Sequence, residues 1–458
     1  MIINNNSSQK NQEIKVISNL KNGEGLQFSD VLTKEQIEKT MNSIKHRDRI
    51  FNPAVTLWIF LSQVMNDDPS QQEAVARFIA QEVAEGKEPP SANTSAYSQA
   101  RSRLPEESLA KLTKETAEQL ENKTPVDWLW KNRSIKLIDG STVSMPDTLE
   151  NQADYPQSES QKEGVGFPIA RIVVMLSYLT GAILNFAIAA YSGKKTGEHA
   201  LLRQIISSFK VGDVALGDAY YPSFFLISAL IRMGVDCVFP QHGSRKNDFQ
   251  RGKHLGEKDH IVEWKKPQKP EWMEQNEYDE FPSEISIREV SIQNERAGFR
   301  PINRVLVTTF LDDKDVRKSD LASLYDYRWF VEISLRSVKE TMNMDILRGK
   351  TPEMVRKEIW VHILAYNLIR KVMAQAAFLG GKKPNTLSFK LALQFIKAFW
   401  QRGILDETDS EIYTKLLELI FYKTVGNRPG RIEPRCVKRR PKPFPRLQKS
   451  RELYKIAA

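Results

Sequence analysis

Between Thr33 and about Lys123, apolar residues recur at helical spacing. Val55, Leu57, Ile59, Phe60 and Val64 fall near one another on successive turns, with no alternating run to suggest a strand. Polar breaks at Asp67-Asp68-Pro69 and Glu88-Pro89-Pro90 divide the stretch into separate helices, and Pro69-Ser70 ahead of 71–84 has the form of a capped helix start. A further helix, 95–104, carries Tyr97, Gln99, Arg101 and Arg103, which suit contacts to phosphates and base edges and equally suit a solvated face.

From Ile135 the period shortens. Apolar, β-branched runs at 135–138, 169–179, 182–190, 214–216 and 235–239 read as strands, with helix-like 197–209 and 223–232 between the later ones. The apolar stretch 172–191 approaches the length of a membrane span, yet Thr180-Gly181 punctuates its middle, so a buried hairpin is the better expectation. A hairpin-linked set of strands followed by strand–helix–strand alternation predicts an α/β fold with a mixed sheet.

Residues 241–300 are charged and Pro-interrupted, then alternate through Ile285, Ile287, Val290 and Ile292, which predicts a β-rich insertion. The core resumes with a strand at 305–310 and a long helix at 319–344, capped by Ser319 with Asp320 in its first turn, and helices follow at 353–379 and 387–402. The expected division is a disordered lead-in at 1–25, a helical domain at 26–128, a first core segment at 129–240, the insertion at 241–300, a second core segment at 301–378, and a helical and basic region at 379–458.

Charge adds a partner. The 458 residues hold 67 Lys and Arg against 57 Asp and Glu, a formal net charge of +10. The tail from Arg428 to Lys455 has eleven Lys or Arg and two Glu, a local excess of nine, so most of the basicity sits there. Its prolines suit an extended arm lying along a phosphate backbone, or a solvated tail. Two cysteines, Cys237 and Cys436, exclude a disulfide framework and a Cys-rich zinc site and fit a reducing compartment. With no export signal in the polar first dozen residues, a cytoplasmic location is expected.

The predicted long helix carries Tyr325, Arg328, Glu332, Arg336 and Lys339, all within about 40° of Glu332 on an ideal helix. One carboxylate among three cations and a phenol is a row of surface salt bridges or, beside further carboxylates, a phosphodiester site. Asp139 ends the strand 135–138 and Asp218 follows the strand 214–216, so both stand where strands of an α/β sheet stop. Carboxylates from neighbouring strands and one helix have the chemistry to hold two Mg²⁺ ions.

Tyr325-x2-Arg328-x3-Glu332-x6-Lys339 resembles the Tyr-Arg-Glu-Lys signature of insertion-sequence transposases of the insertion element 4 type. Ile138-Asp139-Gly140-Ser141 and Gly217-Asp218-Ala219-Tyr220-Tyr221 resemble that family's two aspartate motifs, and Asn427-Arg428-Pro429-Gly430-Arg431 with Lys438-Arg439-Arg440-Pro441 its basic ending. The resemblance implies a ribonuclease-H-like core interrupted by a β-rich insertion, with Asp139, Asp218 and Glu332 as the triad for two Mg²⁺ ions, Mn²⁺ able to replace them. It further implies that Tyr325, Arg328 and Lys339, with Arg336 beside them, hold DNA phosphates. The amino-terminal domain would read terminal inverted repeats, and a homodimer would pair two ends for cut-and-paste movement into target DNA through a hairpin. Relatives use an aromatic residue of the insertion to receive a flipped base; Trp264 and Trp272 are the candidates by location, against the ordinary role of tryptophan as packing. His242, His254 and His260 lack paired zinc spacing and read as surface residues. Two other functions remain open: a non-catalytic or domesticated DNA-binding protein, and a metal-dependent nuclease without joining activity.

Overall fold

The structure is a computed structural model of the chain and describes residues 34–41, 50–84, 86–294, 302–401, 410–422 and 424, with 449 and 453 besides. The lead-in 1–25, Cys436 and, apart from 449 and 453, the basic tail lie outside the described residues.

Nine strands form one sheet: β1 (Ile135–Ser144), β2 (Ile169–Ser177), β3 (Ile183–Ala190), β4 (Val214–Leu216), β5 (Asp236–Pro240), β6 (Lys253–Gly256), β7 (Asp259–Lys265), β8 (Glu284–Asn294) and β9 (Ile302–Thr308). Their order is β3-β2-β1-β4-β5-β9-β8-β7-β6. β4 is parallel to β1 and to β5, in the register Leu137–Leu216 and Leu216–Val238. It is buried throughout, as a short apolar strand covered on both faces must be. β9 returns antiparallel to β5, and β8, β7 and β6 continue antiparallel outward. The insertion therefore extends the central sheet through β9 instead of folding as a separate module.

Three expectations change in detail. β1 runs on to Ser144, so Asp139 lies inside the strand; what stops is its pairing with β4, whose last partner is Leu137. The predicted long helix is two helices, Lys318–Asp326 and Trp329–Arg336, followed by a π-helical turn at Ser337–Thr341. At the junction Tyr327 and Arg328 donate three residues back, to the carbonyls of Leu324 and Tyr325, which tightens the turn and moves the row off the ideal spacing. The first helix is capped at Arg317, not Ser319: the Asp320 carboxylate accepts from the Arg317 backbone N–H at 3.0 Å.

The hairpin is present, with Gly181 at φ +72 in its turn, where a side chain would be strained. No helix among the described residues is long and apolar enough to cross a membrane.

The chain divides into two compact units. One holds Met1–Asn132, Leu176–Asn185 and Ile333–Val425. In it the amino-terminal helices pack on the carboxy-terminal helix Pro352–Leu379: Arg356 pairs with Glu106 at 2.8 Å, and the Lys357 ammonium donates to the Ser102 carbonyl at 2.8 Å. The helix Pro53–Met65 is capped by Asn52, whose side chain accepts from Val55 N–H at 2.9 Å, and Ser70 accepts from Glu73 N–H at 3.2 Å ahead of Gln71–Ala84. On the helix Ser95–Arg103, Tyr97 and Arg101 are buried and both donate to Gln63 Oε1, at 2.8 and 3.0 Å. Of the four side chains suited to DNA, only Gln99 and Arg103 face solvent.

The other unit holds Arg133–Met175 and Phe186–Glu332. Across β7 and β8, fully buried Arg288 donates to both oxygens of Asp259 (2.8 and 2.7 Å) and to the Val316 carbonyl (2.7 Å), so the buried charge is satisfied.

Candidate active site

β1, β4 and β5 point their carboxyl ends to one edge of the sheet, where the chain must leave hydrogen-bonded structure and side chains are free to converge. Asp139 stands two residues past the last β1–β4 pair, Asp218 two residues past β4, and Pro240-Gln241 leaves β5 there. Gln241 donates to the Val305 carbonyl at 2.8 Å and so ties the start of β9 to the same edge. Arg328 and Glu332 arrive from the helical segments beyond β9.

The result is a cavity of about 630 Å³ lined by Asp139, Asp218, Glu332, Tyr325 and Arg328, with Gln241, His242, Arg245 and Asn247 from the loop after β5 and Arg304 from β9. Five of the predicted site residues thus share one cavity, all from one compact unit. Arg336 and Lys339 belong to the other unit, where Arg336 is exposed and lies 4.0 Å from Glu340, and Lys339 sits in the π-helical turn.

Asp139 Oδ1 accepts from the Gly140 N–H at 2.9 Å, and Asp218 Oδ1 from the Tyr220 N–H at 2.8 Å, which fixes both carboxylates. Burial pushes Asp139 up to about 7; the Gly140 N–H and the Arg328 charge oppose this, and the charges of Asp218 and Glu198 add to it. Glu332 accepts from Arg328 Nη2 at 2.6 Å. Tyr325, nearly buried, accepts at its hydroxyl from Arg304 at 2.7 Å.

Glu198 was not legible as a site residue. It opens the helix Glu198–Ile205, accepts from the Tyr221 hydroxyl at 3.0 Å, and lies so close to Gly140 that a Cβ there would stand 2.4 Å from its carboxyl carbon. Burial raises its pKa, opposed by the Tyr221 hydroxyl and reinforced by the Asp218 charge. The one sequence signal was the pairing of a glycine after Asp139 with a distant Glu, which only folding connects. Arg245 and Arg304 were likewise missed, being isolated cations outside any spacing.

As to a divalent cation, the donors are of the right kind: hard carboxylate oxygens at one sheet edge, with Asp139 raised first by burial and then by the charges of Asp218 and Glu198. Among the described residues no group of three His, Cys, Asp or Glu is drawn together as a ready-made cage, and Glu332 is engaged by Arg328. The fit to a divalent cation is thus one of donor chemistry.

The tryptophans are placed differently from one another. Trp264 is buried, donates from Nε1 to Glu289 Oε1 at 3.0 Å and carries the Arg245 guanidinium on its face at 3.4 Å. Trp272 is half-buried under Arg203 at 3.7 Å and packs edge-on to Phe225. His260, expected at the surface, is buried, with Nδ1 on the Arg251 carbonyl at 2.7 Å and Nε2 3.2 Å from Glu289. Cys237 is buried, and burial followed by the Asp236 charge pushes its thiol up to about 12, as expected of an inert thiol.

A family profile described as "Transposase DDE domain" matches residues 130–368, just over half of the chain. The chain is 28% identical over 361 residues to the transposase InsG for insertion sequence element IS4 of Escherichia coli (strain K12), covering 78% of each. It is 30% identical over 69 residues to the transposase for insertion sequence element IS421 of Escherichia coli, 15% of this chain and 19% of that one. Among solved structures it is similar to a piggyBac transposase synaptic complex with hairpin DNA, at 12% identity and a TM-score of 0.44, covering 88% of this chain and 86% of the other.

Proposed function

The chain belongs to the transposase DDE domain family, of the insertion element 4 type, and we propose that it cuts and rejoins DNA at the cavity lined by Asp139, Asp218 and Glu332. The observation that carries this reading is the convergence of three carboxylates, from Asp139 to Glu332 along the chain, on one sheet edge beside Arg328 and Tyr325. The sheet order β3-β2-β1-β4-β5, with β4 parallel to its neighbours, supports a ribonuclease-H-like core.

Asp139, Asp218 and Glu332 are the residues that would hold two Mg²⁺ ions, with Mn²⁺ as substitute. Such ions, when bound, lower the pKa of an attacking water or 3′-hydroxyl and stabilise the departing oxygen. The remaining work belongs to the chain. Gly140 and Tyr220 N–H groups orient the two aspartates. Arg328 presents a planar guanidinium to Glu332 and to the non-bridging oxygens of a phosphodiester at the same mouth. Tyr325, backed by Arg304, offers a hydroxyl to the strand.

Terminal inverted repeats are the proposed substrate, read by the amino-terminal helices, with a homodimer pairing two ends in the cytoplasm and a hairpin between cleavage and insertion. Arg336 and Lys339 are further candidates for phosphate contacts, and Trp264 and Trp272 are the candidates to receive a flipped base.

Asp139→Ala, Asp218→Ala and Glu332→Ala are expected to bind terminal-repeat duplex within about threefold of the parent, because phosphate contacts dominate affinity, while losing Mg²⁺-dependent cleavage. Persisting cleavage in all three would remove the catalytic reading. A pre-cut end with a free 3′-hydroxyl then separates the two enzyme classes: joined product supports a transposase, and cutting without joining a nuclease.

A further inference from the structure

We propose that Arg245 is a further contact to the DNA backbone at this site and that Trp264 is the positioning residue that holds it there. The inference rests on the reading of the cavity as a DNA-cleaving site.

Arg245 lies in the loop after β5, and its guanidinium lines the same cavity as Asp139, Asp218 and Glu332. A free arginine on such a loop would lose its rotamer freedom on binding an anion. Here the guanidinium already lies over the Trp264 ring, 3.4 Å from its centroid, and the charge of Glu289, the carboxylate that also holds the ring, acts on it. Stacking uses the flat face of the guanidinium and leaves its N–H edge directed outward for a phosphate.

The platform is itself anchored. Trp264 Nε1 donates to Glu289 Oε1 at 3.0 Å, and the other oxygen of Glu289 accepts from Asn247 Nδ2 at 2.6 Å. Asn247 is in the same loop as Arg245, so one buried carboxylate holds both the ring under the cation and the backbone that carries it. The cavity thus brings the carboxylates that suit metal ions and three arginines that suit phosphates, Arg245, Arg304 and Arg328, into one lining. In this arrangement Arg245 covers one face of the Trp264 ring, as Arg203 covers one face of Trp272.

The test is the salt dependence of binding, by fluorescence anisotropy in Ca²⁺, to a labelled duplex taken from the DNA flanking the coding region. Losing one phosphate contact should make the slope of log K against log salt shallower by about 0.7–0.9 in Arg245→Ala. Arg245→Lys keeps the charge and should keep the slope while binding more weakly. Trp264→Leu should match Arg245→Ala, and Trp264→Phe, which retains a ring to stack on but loses the Nε1 bond to Glu289, should lie between it and the parent. An Arg245→Ala slope equal to that of a DNA-binding parent overturns the inference alone, whatever happens to the tryptophan variants. Trp264→Leu keeping the parent slope, with the parent melting temperature kept, overturns the positioning role. A parent that binds no DNA overturns the proposed function and this inference with it.

Discussion

Arg328 donates to Glu332 at 2.6 Å across the tightened turn that separates the two halves of the signature row. The pair is spaced i, i+4, and on an open helix it would contribute little to stability. At the mouth of the cavity it sets the position of a carboxylate and of a cation together.

Arg328→Ala is therefore expected to lower single-turnover cleavage by about 100-fold or more, the usual cost of removing one preorganised donor, with little change in melting temperature. Arg328→Lys should recover only part of this, since a point charge replaces a planar fork. Cleavage within threefold of the parent would reduce Arg328 to a partner for Glu332.

Gly140→Ala places a Cβ 2.4 Å from the carboxyl carbon of Glu198. The clashing atoms are the flexible end of Glu198, so the cost is that of turning it away from the Tyr221 hydroxyl, about 1 kcal/mol. The double variant Gly140→Ala with Glu198→Ala should recover most of it, because the clashing group is gone. Urea denaturation of the four chains gives the coupling directly; additive effects would show that the two residues are not in contact.

The buried pair of Arg288 and Asp259 is expected to be asymmetric in its response. Asp259→Ala leaves an unpaired buried guanidinium and should cost about 3–5 kcal/mol, whereas Asp259→Leu with Arg288→Met should cost much less. Equal losses in the single and double variants, read from urea midpoints, would contradict this.

His362 is buried, its Nδ1 has no partner among the described residues, and Glu358 lies 4.0 Å from its Nε2. Burial pushes its pKa down to about 3 from 6.5, so the folded chain binds fewer protons than the unfolded one between those values. Its contribution to stability is present above pH 6.5 and is lost as pH falls toward 3, by about 1.4 kcal/mol per pH unit. Glu358, raised by burial, has the opposite slope and is common to both chains in the comparison. His362→Phe should flatten the acid limb of urea midpoint against pH; parallel limbs would show that His362 is protonated in the fold.

Much of the site was readable because its members are chemically unusual where they stand. A carboxylate that closes an apolar run, as at Asp139 and Asp218, is visible locally, although β1 itself continues to Ser144. Tyr325, Arg328 and Glu332 were visible through their spacing. Strand and helix identities followed the same logic, and the capped start at Ser70 and the hairpin at Thr180-Gly181 stand where the turn chemistry puts them.

What the chain alone could not supply was each contact between distant segments. Glu198 against Gly140, Arg304 on Tyr325 and Arg245 on Trp264 join residues from 19 to 58 positions apart, and nothing in either segment's own pattern marks its partner. The grouping of the amino-terminal helices with Pro352–Leu379 is of the same kind, as is the break at Arg328, where packing and a tightened turn override helix propensity. Local sequence determined which elements form and which chemistry they carry. Tertiary structure decided which of those groups meet, because close packing selects contacts by shape and charge across the whole unit and not by distance along the chain.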